Sequence, residues 1–110
     1  MSSDRLQQLL AFYETNPEDS FICFALAKEY EGQGEREKAL ELYQKLVAES
    51  PEYIGTYYHL GKLLEALEQP AAAFQVYKDG MAMAQKSGDQ HAFSELAAAK
   101  LDLGDDDDFE

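Results

Sequence analysis

The chain resembles itself at an offset of 34 residues, and this period constrains the fold more than any other feature. At that offset Pro17 faces Pro51, Phe24 faces Tyr58, Leu26 faces Leu60 and Ala27 faces Gly61. Lys28 likewise faces Lys62, Glu31 faces Glu65, Ala39 faces Ala73 and Tyr43 faces Tyr77. A period of about 20–50 residues marks stacked supersecondary units, none of which can bury its apolar face alone.

Each unit reads as a pair of helices. Asn16-Pro17-Glu18 and Ser50-Pro51-Glu52 look like one repeated start signal. Asn or Ser accepts a free backbone N–H, Pro suits the first helical position, and Glu favours the positive helix end. Gly32-Gln33-Gly34 breaks the first unit, and Glu68-Gln69-Pro70 breaks the second. Helices are therefore predicted over 18–31, 36–49, 52–67 and 70–86.

The ends read as half-units. Leu6, Leu9, Leu10 and Tyr13 have helical spacing within 4–15, and Ala92, Phe93, Leu96, Ala97 and Leu101 form a stripe within 90–103. The last helix would cover the open end of the stack, with Asp89 as its cap. The expected organisation is one helical repeat domain, 1–103, comprising a half-unit 4–15, units 18–51 and 52–87, and a capping helix 90–103. An acidic tail, 104–110, follows and is expected to be disordered.

These residues resemble the tetratricopeptide pattern W-x2-L-G-x2-Y, A-x3-F, P. The first unit has Cys23-x2-Leu26-Ala27-x2-Tyr30, then Ala39-x3-Tyr43 and Pro51. The second has Tyr57-x2-Leu60-Gly61-x2-Leu64, then Ala73-x3-Tyr77, with Gln85 at the Pro position. The resemblance implies an all-α fold, an α-α superhelix of antiparallel helix pairs with about six helices. It also implies that the first helices of successive units line a concave groove that binds peptides or protein surfaces. Members that bind chaperone C-terminal carboxylates use a clamp spread over three units. This chain has two full units, with Lys28 and Lys62 where that clamp has asparagines, so the resemblance does not imply that ligand.

The candidate peptide-binding residues lie on the first helix of each unit. Phe21, Phe24, Lys28 and Glu31 share one helical face, and Tyr58, Lys62 and Glu65 share its counterpart with His59 beside them. An aromatic floor flanked by two lysines suits a peptide bearing an acidic group. The chain has only nine basic residues, so a lysine repeated at the same position carries weight. The bland alternative is that the aromatics pack and the Lys–Glu pairs at i,i+3 are solvated, each contributing a few tenths of a kcal/mol.

Composition excludes several functions. The net charge of −13, of which the tail carries −5, repels nucleic acid and anionic membranes. The acidity serves solubility or adapts the surface to a salty cytoplasm. No run approaches the ~20 apolar residues that span a bilayer, and Met1–Leu6 has no signal-peptide pattern, so a cytoplasmic protein is expected. Cys23 reads as a buried apolar residue, and His59 and His91 are too isolated in sequence to suggest a metal site. No phosphate loop or nucleophile–base pair is evident, so neither catalysis nor a cofactor is expected. The predicted function is a monomeric or weakly dimeric adaptor for another protein. The alternative is a self-associating subunit that docks end-on with other helical repeats. A sharper expectation gives the tail a role: Asp105–Asp108 and Phe109 complement Lys28, Lys62 and Phe24.

Overall fold

The computed structural model of the chain describes residues 4–109. Met1, Ser2 and Ser3, placed in the predicted domain, and Glu110, placed in the predicted tail, lie outside the described residues. The described residues form six α-helices and one short 3-10 turn, without a strand. They divide into two compact units, the first ending at Tyr53 and the second beginning at Ile54.

Unit 1 contains α1 (Asp4–Thr15), α2 (Ser20–Gly32) and α3 (Arg36–Glu49). Leu6 and Leu9 of α1 meet Leu26 of α2, and Leu10, Tyr13, Ala25, Tyr30 and Leu42 pack around them. Small and large side chains then alternate across α2 and α3: Ala27, Ala39 and Tyr43 are all fully buried. Burying apolar surface in this way supplies most of the helices' stability, since short isolated helices are marginal in water.

The helix starts differ from the sequence reading. Asn16 closes α1 rather than opening α2: its side-chain amide donates to Phe12 O at 3.1 Å and to Thr15 Oγ1 at 2.9 Å. The Asp19 carboxylate is the actual N-cap of α2, accepting the Ile22 N–H at 3.2 Å. Pro17 therefore lies in the turn, where its carbonyl accepts from Lys45 Nζ at 2.9 Å. Ser50 similarly closes α3, so the second unit's first helix begins at Gly55.

Unit 2 contains α4 (Gly55–Ala66), α5 (Pro70–Ser87) and α6 (Gln90–Leu103). Asp89 caps α6 as expected, accepting the Ala92 N–H at 3.0 Å. The predicted stripe on α6 is rotated slightly: Leu96 and Ala99 are buried, whereas Leu101 is 71% exposed. Gly80 makes the centre of this unit unusually tight. A Cβ there would lie 2.5 Å from Tyr57 Cβ and 2.9 Å from Leu96 Cδ1, so α5 approaches both neighbours closely.

The turns inside the two repeats share one hydrogen-bond pattern. Glu35 N–H donates to Tyr30 O and Gln69 N–H donates to Leu64 O, both at 2.9 Å. This helix-ending motif needs a left-handed residue. Gly34 supplies it in unit 1 with φ of 81°, and Glu68 supplies it in unit 2 with φ of 60°.

Residues after α6 depart from the disordered tail expected from charge. Asp106–Phe109 form a 3-10 turn against α5 and α6. Asp108 Oδ2 accepts the Asp105 N–H at 2.7 Å and so closes the turn on itself.

Candidate functional site

In unit 1, α2 presents three of the predicted residues on an open surface. Phe21 is 69% exposed, and Phe24 is half-buried between Tyr43 and Tyr53, with ring centroids 6.1 and 5.4 Å away. Four residues on from Phe24, Lys28 places its Nζ 5.8 Å from the Phe24 ring centroid. The helical pitch stacks residues i and i+4, so the ammonium sits over the ring face. Phe21, Phe24, Ala25 and Lys28 line a depression of about 410 Å³ together with Arg5 and Glu29. Arg5 pairs with Glu29 at 3.4 Å, and sequence reasoning missed it because the pair does not recur at the 34-residue offset, where Ala39 and Leu63 stand.

In unit 2, α4 repeats the arrangement. Lys62 Nζ lies 5.6 Å from the Tyr58 ring centroid, matching Lys28 over Phe24. His59 meets Tyr58 edge-on at 5.7 Å. Both lysines keep access to solvent, Lys28 being exposed and the Lys62 side chain 41% exposed. They can therefore still exchange water for a ligand anion.

The two predicted glutamates engage tyrosines of their own units. Glu31 Oε1 accepts the Tyr43 hydroxyl at 2.8 Å, and Glu65 accepts the Tyr77 hydroxyl in the same way. Each pair ties the first helix of a repeat to its second. Burial, then hydrogen bonding to the neighbouring glutamate, pushes both tyrosine pKa values upward. Each glutamate lies three residues after the lysine on the same helix, and its carboxylate already has a partner. Lys62 also approaches Glu65 at 3.8 Å.

Cys23 is 2% exposed, and its Sγ donates weakly toward Leu42 O at 3.7 Å. Burial raises its pKa, which keeps it a thiol and leaves it a poor nucleophile. Among the described residues, no group of three or more His, Cys, Asp or Glu could hold a metal ion. Also among them, no helix is long and apolar enough to cross a membrane.

The sequence reading also missed a cluster on unit 2. Lys100 Nζ and Lys78 Nζ lie 4.7 and 6.0 Å from the Phe74 ring centroid. Phe109 stacks on the same ring at 4.5 Å. Asp106 Oδ1 approaches Lys100 at 3.7 Å and Lys78 at 4.0 Å. The tail thus meets a lysine pair and a phenylalanine, but these are Lys78, Lys100 and Phe74 rather than the expected Lys28, Lys62 and Phe24.

Known proteins share both the sequence pattern and the fold. The tetratricopeptide repeat pattern matches residues 20–53 and again 54–87. The chain is 32% identical over 104 residues to a TPR repeat-containing protein of Pseudomonas aeruginosa, covering 93% of this chain and 96% of that one. A solution structure of a tetratricopeptide repeat domain protein from Salinibacter ruber is 44% identical, with a TM-score of 0.77. That match covers 79% of this chain and 88% of the other. A Bordetella parapertussis protein is 27% identical with a TM-score of 0.78, covering 94% and 89% of the two chains. Two matched repeats, each spanning one helix pair, show that the chain belongs to the tetratricopeptide repeat family.

Proposed function

We propose that this protein is an adaptor that binds acidic peptides or protein surfaces through a lysine-over-aromatic patch on α2 in unit 1 and a like patch on α4 in unit 2. Tetratricopeptide repeats are generally protein-interaction modules, and family members are typically non-enzymatic scaffolds. The observation that carries the reading is the duplicated lysine over an aromatic ring, at 5.8 Å in unit 1 and 5.6 Å in unit 2. Packing alone explains the aromatic positions but does not require a lysine above each ring. A cation held over a ring and open to water is positioned to meet an incoming carboxylate. The depression beside Phe21 and Phe24 gives such a ligand an apolar anchor in unit 1.

Replacing Lys28, Tyr58 and Lys62 together by Ala should abolish capture of the partner from a host lysate while the helical circular dichroism stays unchanged. Hydrogen exchange on the captured complex should show protection of α2 and α4. Capture that survives the triple change would sink the reading. A second reading, self-association through α1, draws on Phe12, which is 56% exposed. Elsewhere on α1, Leu6 is buried and Leu10 is half-buried. A monomer in sedimentation at high concentration would remove this second reading.

A further inference from the structure

We propose that the α5–α6 face built by Phe74, Lys78 and Lys100 is a second peptide site, specific for a carboxylate three residues before an aromatic ring, and that Asp106–Phe109 fills it in cis as a displaceable copy of that ligand. Its residues lie outside α2 and α4.

Two of the chain's nine lysines and arginines converge here on one phenylalanine ring. Neighbouring ammoniums repel each other, so the arrangement is favourable only with an anion between them. Asp106 Oδ1 is that anion, reaching both lysines. In a 3-10 turn residues i and i+3 eclipse, which places Asp106 and Phe109 on one side. One four-residue turn therefore satisfies the lysine pair and stacks on Phe74, at 4.5 Å with 24° between the ring planes. Gly104 permits the approach: its φ of 146° is open to glycine alone, and a Cβ there would lie 2.6 Å from Asp108 Oδ2.

The tail holds this place weakly. The Asp106 side chain remains 66% exposed, so its ion pairs are largely screened by water and salt. The tail also covers only part of the surface. Beside Asp106 an open depression of about 290 Å³ continues between Lys78 and Lys100, lined by Met81, Ala82, Gln85 and Phe93. A ligand with the same acidic-to-aromatic spacing and an added apolar side chain would bury what the tail leaves open. Met81 and Phe93 suit an adaptable apolar contact there. Such a ligand would replace the tail without disturbing the helices beneath.

The test uses the full chain carrying Asp106→Asn and Phe109→Ala, which removes the tail's acidic and aromatic contacts and changes no residue of α1–α6. The probe is the peptide Leu-Gly-Asp-Asp-Asp-Asp-Phe-Glu, the sequence of residues 103–110. Titration followed by NMR should show this variant binding about tenfold tighter than the wild type, whose own tail competes at high effective concentration. The shifts should centre on Phe74, Lys78 and Lys100. Adding Lys78→Ala and Lys100→Ala should abolish them, as should moving the peptide's Phe ahead of the aspartates. Should Phe109→Ala loosen α5, Asp106→Asn alone should give a smaller gain at the same residues. Equal binding by variant and wild type would overturn the proposal. So would shifts confined to Lys28, Tyr58 and Lys62, which would instead favour the α2–α4 reading. A wild-type dimer that exchanges tails would make a second copy the occupant and would also overturn it.

Discussion

The two units carry the same repeat but close it differently. In unit 1 the position facing its neighbour helix carries a methyl group, Ala27, which is fully buried. At the equivalent position in unit 2, Gly61 has no room for one: a Cβ would overlap the ring of Tyr77. The register of 34 also aligns Leu46 of α3 with Gly80 of α5. Unit 1 thus fills its helix interfaces with side chains, whereas unit 2 brings backbones together. The second strategy gains close packing but leaves no tolerance for added volume.

Substituting the glycines tests this contrast most severely. Gly61→Ala and Gly80→Ala should each destabilise unit 2 by about 3 kcal/mol, with overpacking outweighing the helix propensity that Ala adds. Hydrogen exchange should locate the loss in residues 54–109 and leave unit 1 protected. The reverse change, Ala27→Gly, should lower unit 1 stability by about 1–2 kcal/mol through lost propensity and one lost buried methyl. A neutral Gly61→Ala would show that Tyr77 can move aside and would erase the distinction.

The Tyr–Glu ties should instead behave alike in the two units. Tyr43→Phe or Tyr77→Phe removes a hydrogen bond to a carboxylate and should destabilise by about 1.5 kcal/mol each. The pH dependence has a definite sign. Both tyrosines have folded pKa values raised above the ordinary 10 by burial first and by their glutamates second. Their contribution is therefore fully present below pH 10 and is lost as pH rises toward the folded pKa. Alkaline titration followed by tyrosinate absorbance should show these two rings ionising only as the helices unfold. Early ionisation of Tyr77 alone would mean that the unit 2 tie is the weaker one.

A polar atom separates the units at another aligned position. Ile22 in unit 1 corresponds to Thr56 in unit 2, which is fully buried. The Thr56 hydroxyl has no hydrogen-bond partner among the described residues. Thr56→Val keeps the shape and removes the stranded hydroxyl, so a gain of about 1 kcal/mol is expected in thermal unfolding. A loss would mean that the hydroxyl finds a partner in solution, such as water.

What the sequence disclosed and what it hid follow one physical division. Periodic features were legible: the helix pairs, the glycine breaks, and the lysine four residues after an aromatic on both α2 and α4. Features set by a single long-range encounter were not. Asn16-Pro17 carries the residue types of a helix start, yet Asn16 bonds back to Phe12 and the start moves to Ser20. Glu31 and Glu65 sit at face positions, and only the structure shows the tyrosines that engage them. The charge run after Gly104 reads as disorder until Lys78 and Lys100 are brought to Asp106 by the pairing of α5 with α6.

The smallest expected effect lies in the turn that joins the two helices of each repeat. Gly34 and Glu68 occupy the same left-handed position and support the same backbone hydrogen bond. Glycine adopts this conformation freely, whereas Cβ crowding against the backbone disfavours it for glutamate. Against that stands entropy, because glycine loses more freedom on folding. Glu68→Gly should therefore stabilise unit 2 by only about 0.5 kcal/mol, read as a slight rise in denaturant midpoint at unchanged slope. Gly34→Glu should destabilise unit 1 by about 1 kcal/mol, since strain is added where none existed. If both changes proved neutral, the turn geometry would be set by the flanking helices, and the two units would differ in their interfaces alone.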